Sequence, residues 1–127
     1  MRKEGKSGAT ILVVDDEFPV RLMIRTTLAG AGYRVLDAGN ARDAGFLMKA
    51  HRGAIDALIV DIVMPGVSGL DFASQVFTTH PESRILYISG FHGSVAVESI
   101  RRRSPANLLT KPFTGAQLLA RVRELVR

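Results

Sequence analysis

The chain has 127 residues, 46% of them hydrophobic and 23% charged, with a formal net charge of +5. That length and balance suit one globular domain around a single core, and the chain is too apolar for a disordered segment. Cysteine is absent, which excludes a disulfide framework and a thiolate metal site, and no apolar run approaches the ~20 residues needed to span a bilayer.

Residues 1–9 read as a flexible lead-in. Met1 to Ser7 is charged and lacks the apolar centre of a secretory signal, so the cytoplasm is the expected compartment. From residue 10 to residue 127, short apolar strands alternate with helical periods, the pattern of βαβ units on a parallel sheet. Strands are expected near 10–14, 34–38, 57–60, 84–89 and 107–110. The runs at 57–60 and 84–89 are nearly all apolar, as in strands covered on both faces.

A helix is expected after each strand. The first runs from Phe18 to Ala29, with Val20, Ile24 and Leu28 inward, Pro19 in its first turn and Gly30 and Gly32 at its end. The second starts after Asn40, an N-cap residue, and turns Ala44, Leu47 and Met48 inward. The third follows Ser68 and uses Leu70, Ala73, Val76 and Phe77. The fourth spans Ser94 to Arg103. The fifth opens on the capping-box pattern Thr114-Gly115-Ala116-Gln117 and carries Leu118, Val122 and Leu125. No repeat and no interdomain linker interrupts the series.

Polar residues stand where four of the strands end: Asp15 and Asp16 after the first, Asp61 after the third, Ser89 after the fourth, and Lys111-Pro112 after the fifth. In an open α/β sheet those ends converge on one crevice. Each residue alone reads as a turn, a cap or a solvated group; all of them together, from four strand ends at one sheet edge, read as a site. Three carboxylates repel one another unless a cation lies among them, and an all-oxygen set points to Mg²⁺ or a similar hard ion. Asp61 is also a potential nucleophile toward phosphorus, with the Lys111 charge and the Ser89 hydroxyl available to a transferring phosphoryl group. Glu17 is expected to face solvent or to begin the first helix. Lys and Arg cluster in Arg2-Lys3-Lys6, in Arg101-Arg102-Arg103 and in Arg121, Arg123 and Arg127. No nucleic-acid recognition motif accompanies them, so they read as solvated faces. Neither nucleotide-binding glycine pattern follows the first strand.

The pieces ILVVDDE (11–17), ALIVDIVMPGVSGLDF (57–72), ILYISG (85–90) and LLTKPF (108–113) together resemble the receiver, or phosphoacceptor, domain of bacterial two-component response regulators. The resemblance covers about residues 9 to 127. It implies a flavodoxin-like, doubly wound sheet of five parallel strands in order 2-1-3-4-5 with five helices. It further implies that Asp61 accepts a phosphoryl group from a histidine kinase or a phosphotransfer protein. Asp16 and Asp61 would bind Mg²⁺ directly, Asp15 largely through water, and the Val63 carbonyl would be a further ligand. Ser89 and Lys111 would hold phosphoryl oxygens, and Lys111-Pro112 would be a cis bond. The downstream protein partner or fused output domain stays open, and neither direct nucleic-acid binding nor membrane contact is expected. Phosphotransfer is self-catalysed here, without turnover of an ordinary substrate.

Three positions depart from the family pattern or bear on its kinetics. Leu108 stands where the family has an aromatic residue, three before the lysine. Val63 and Phe91 are both apolar and flank the site, which predicts slow loss of a bound phosphoryl group. The family's output face would carry Glu98, Arg101, Arg102, Arg103, Arg121 and Arg123. A hydrolase of the haloacid dehalogenase type would need a carboxylate where Val63 stands.

Overall fold

The computed structural model describes residues 8–64, 66–90 and 95–127. The strands are β1 (Thr10–Val14), β2 (Arg34–Ala38), β3 (Ala57–Asp61), β4 (Arg84–Ser89) and β5 (Leu108–Thr110). The helices are α1 (Phe18–Gly30), α2 (Ala41–Ala50), α3 (Gly69–Thr79), α4 (Val95–Arg103) and α5 (Gly115–Val126), with a short 3₁₀ turn at Pro105–Asn107. All strand pairs are parallel, in the order β2-β1-β3-β4-β5. This is the doubly wound, flavodoxin-like arrangement. No described helix is long and apolar enough to cross a membrane.

Side chains alternate between the two sheet faces, so each central strand feeds two cores. Ile11, Val13, Ile59, Leu86 and Ile88 face α1 and α5, meeting Ile24, Leu28, Leu118, Val122 and Leu125. Leu12, Val14, Leu58 and Val60 face α2 and α3, meeting Ala44, Met48, Phe72, Ala73 and Val76. Every residue of β1 and β3 is buried. Full burial of one such side chain contributes roughly 1.5–3 kcal/mol, which explains why these two strands sit centrally. A smaller cluster of Ile62, Val97 and Leu108 seats α4, with Leu70, Tyr87 and Ile100 packed against it.

Local signals act where expected. Asn40 Oδ1 accepts from the Asp43 N–H at 2.8 Å, and Ser68 Oγ from the Asp71 N–H at 3.2 Å. Thr114 and Gln117 form the reciprocal capping box. The Lys111–Pro112 peptide is cis. Several expectations need correction. Helix α1 takes in Gly30, β3 takes in Asp61, and Asn107 belongs to the 3₁₀ turn rather than to β5. In α3 the buried face is Gly69, Phe72, Ala73 and Val76, with Leu70 half-buried and Phe77 exposed. The Gly8 N–H donates to the Gly32 carbonyl at 2.9 Å and Ala9 joins the core, so these two lead-in residues are part of the fold. Residues 1–7, Pro65, Phe91 and Ser94, on which other expectations fell, lie outside the described residues.

Candidate functional site

The strand order reverses between β1 and β3, because the chain goes first to β2 on one side of β1 and then to β3 on the other. Ligands of open α/β sheets bind beyond the carboxyl ends at such a reversal. Asp15 follows β1 there and Asp61 ends β3. Asp15, Asp16 and Asp61 each offer a carboxylate oxygen, and these atoms lie within 4.8 Å of one another. Asp15 is fully buried, Asp61 nearly so, and Asp16 is exposed. The Val63 N–H donates to Asp61 Oδ1 at 3.0 Å, and the Glu17 N–H to Asp15 Oδ1 at 2.8 Å, so each buried carboxylate is aimed by a backbone group two residues on.

Lys111 reaches this cluster from the end of β5. Its Nζ lies 3.0 Å from Asp61 Oδ2, 3.0 Å from Asp15 Oδ2 and 2.5 Å from Glu17 Oε1. Burial works to lower the pKa of this ammonium, but the carboxylates of Glu17, Asp61 and Asp15 outweigh it and raise the value. Glu17 therefore does not simply face solvent. It occupies the N-cap position of α1 without capping it, and its carboxylate lies on Lys111. Ser89 is buried at the end of β4, paired in register with Thr110, and its carbonyl accepts from the Lys111 N–H at 2.8 Å. The structure thus brings Asp15, Asp16, Asp61 and Lys111 to one cluster, with Ser89 at the adjoining strand end. Val63 is exposed beside it.

One lysine cannot neutralise four carboxylates. Asp15 carries the clearest sign of the imbalance: its Oδ2 is buried and makes no hydrogen bond, although Lys111 Nζ lies at an ion-pair distance of 3.0 Å. Burial, aided by the Asp61 charge, raises its carboxyl above the usual range, against the pull of the Glu17 N–H and Lys111. A buried oxygen acceptor without a hydrogen bond, among all-oxygen donors, fits a hard divalent cation. Asp15→Asn is accordingly expected to raise stability in Mg²⁺-free buffer by about 1 kcal/mol, since it removes a disfavoured buried charge and keeps an oxygen for the Glu17 N–H. The same variant should lose most of any stabilisation that Mg²⁺ gives the native chain. Urea unfolding with and without Mg²⁺ measures both effects.

Arg21 was not singled out by the sequence. Its Nη1 donates to the Asp15 carbonyl at 2.8 Å, and its Nε pairs with Asp37 Oδ2 at 2.9 Å. The guanidinium also lies over the Phe18 ring, 5.4 Å from its centre, and against Gly39. It fastens the end of β1 to the end of β2 by a planar fork that lysine could not reproduce. On the side of the expected output face, Leu108 is buried opposite Tyr87 on β4, and Arg121 donates to the Leu108 carbonyl. At least one arginine of that face is therefore tied to the backbone.

The sequence matches the family model described as response regulator receiver domain over residues 11–123. It is 30% identical to the sensor kinase CckA of Brucella abortus over 94% of this chain and 13% of that protein. It is 35% identical to the response regulator MprA of Mycolicibacterium vanbaalenii over 92% of this chain and 50% of that one. The chain thus spans half or less of the length of these two relatives. Among solved structures, it superposes on the response regulator TrrA of Thermotoga maritima in complex with Mg(2+)-BeF with a TM-score of 0.75. Identity there is 27%, over 92% of this chain and 98% of that one. A family match over most of the chain, on a fold whose strand ends gather these carboxylates and this lysine, leaves no competing assignment: the chain belongs to the response regulator receiver family, whose members act in two-component signalling.

Proposed function

We propose that residues 10–127 form a phosphorylation-controlled switch in the cytoplasm, with Asp61 as the phosphoacceptor. An Asp61 carboxylate oxygen attacks the phosphorus of a phosphohistidine on a histidine kinase or phosphotransfer protein. The P–N bond breaks, its electron pair stays on the imidazole nitrogen, and an acyl phosphate forms on Asp61. Charge on the transferring oxygens is the main obstacle to such a step. Lys111, already 3.0 Å from Asp61 Oδ2, supplies a positive charge there, and the Ser89 hydroxyl supplies a donor. Asp15, Asp16, Asp61 and the Val63 carbonyl are the groups that would hold Mg²⁺, which when bound supplies further charge neutralisation.

The observation that carries this reading is the buried Asp15–Asp61 pair, with the Lys111 ammonium on both and one Asp15 oxygen left without a hydrogen bond. That surplus of negative charge matches a divalent cation, which with Lys111 would offset the charge of a phosphoryl group, and it serves no packing purpose. The exposed, apolar Val63 cannot orient an attacking water, so the acyl phosphate should be long-lived. The output passes to a downstream protein partner or a fused domain, without direct nucleic-acid or membrane contact by this domain. The test is incubation with acetyl phosphate and measurement of intact mass. One phosphoryl group should be gained with Mg²⁺ and none with excess chelator. Equal uptake in both conditions, or none in either, would reject the proposal.

A further inference from the structure

Glu17 is held in a way that a solvated surface acid is not. It stands at the N-cap of α1 yet makes no cap; its side chain reaches instead to a residue 94 positions away. Its distance to Lys111 Nζ, 2.5 Å, is the shortest of the three carboxylate contacts there. The Lys111 ammonium donates to Glu17 and Asp61 and lies within ion-pair distance of Asp15, so a phosphoryl oxygen arriving at Lys111 competes with carboxylates already on it. Glu17 is the one that leaves at least cost, because its side chain is 57% exposed while those of Asp15 and Asp61 are 0% and 6% exposed. It also borders a cavity of about 450 Å³ that opens beside Lys111 between α1 and the β5–α5 loop.

Building on the phosphoacceptor reading above, we infer that Glu17 is a positioning residue: it holds the Lys111 ammonium in the unphosphorylated chain and competes with the phosphoryl group for it. Its side chain thereby sets how readily the site takes up a phosphoryl group, without touching phosphorus. Removing its charge should favour the loaded state. An exposed ion pair is worth little, so the gain is about two- to five-fold in affinity.

The experiment is titration of beryllofluoride into the full chain at saturating Mg²⁺, followed by calorimetry, for the native chain, Glu17→Gln, Lys111→Met and the double variant. Circular dichroism checks that all four fold. Glu17→Gln should bind about two- to five-fold more tightly than the native chain, and the same change should have no effect in the Lys111→Met background. A merely local structural role for Glu17 would not depend on Lys111. Unchanged or weaker binding by Glu17→Gln would overturn the inference, and so would a gain that persists without Lys111, which would be simple repulsion of the anion. A native chain that binds no beryllofluoride would reject the phosphoacceptor reading and this inference together.

Discussion

Asp61→Asn is expected to abolish phosphoryl uptake while leaving the fold intact. The side chain is nearly buried, so a change of shape would be felt, but asparagine has almost the same volume. Its amide oxygen can still accept from the Val63 N–H, which lies 3.0 Å from Asp61 Oδ1. Lys111 keeps Glu17 and Asp15 as partners, so no buried cation is stranded. Stability should then stay within about 1 kcal/mol of the native value, in the range of substitutions that neither open a cavity nor orphan a charge. The chemistry has no such reserve, because an amide oxygen is a poor nucleophile toward phosphorus and no other described carboxylate sits at the end of β3. Intact mass after acetyl phosphate and Mg²⁺ should show one added group on the native chain and none on the variant. Uptake by the variant would move the phosphoacceptor to a neighbour such as Asp15.

How much of this was legible in the sequence depended on the range of each interaction. Buried strands were readable because each is a short apolar run closed by a polar residue, and the residue that closes the run is the one the fold carries to the crevice. Asn40 and Thr114 are readable as caps, and Ser68 as the residue that α3 follows, because a cap acts over three residues. Contacts between distant segments left no mark: Glu17 finds Lys111 across 94 positions, and Arg21 finds Asp37 across 16. An acid before a helix and an arginine on a helix face are ordinary in sequence, and only the packed sheet shows that each is committed. Of the face expected for α3, Ala73 and Val76 are buried and Leu70 packs against the Ile62 cluster, but Phe77 is exposed, and Gly69 and Phe72 are the buried residues the pattern does not reveal. The error has a definite source: the residue that orients this helix is a glycine, which has no hydropathy to read.

That glycine is the basis of the second large effect. A Cβ built on Gly69 would lie 1.9 Å from the Asp61 carbonyl oxygen, 2.8 Å from its carbonyl carbon and 2.9 Å from Ile62 Cα. All three are main-chain atoms, so no side chain can rotate away, and either α3 or the end of β3 must shift by more than an ångström. Alanine usually gains ~1 kcal/mol over glycine in a helix, and that gain is outweighed here. The net loss for Gly69→Ala is expected to be about 3 kcal/mol, a large fraction of the stability of a domain this size. Gly66, five residues after Asp61 in the loop that leads to α3, provides the contrast. Its φ of +79° strains any other residue, but nothing lies within 4 Å of its Cβ position. Gly66→Ala should therefore cost about 1–2 kcal/mol, the ordinary penalty of a left-handed backbone. Urea unfolding of both variants separates clearance from strain, and equal losses would mean that α3 yields without resistance. Phosphoryl uptake discriminates further. A shift at Gly69 is transmitted straight into the Asp61 peptide, and misplacing a reacting group by about 1 Å can slow a step about 100-fold. A strained turn at Gly66 moves no atom of Asp61, so Gly66→Ala should label with acetyl phosphate at close to the native rate, whereas the folded fraction of Gly69→Ala should not.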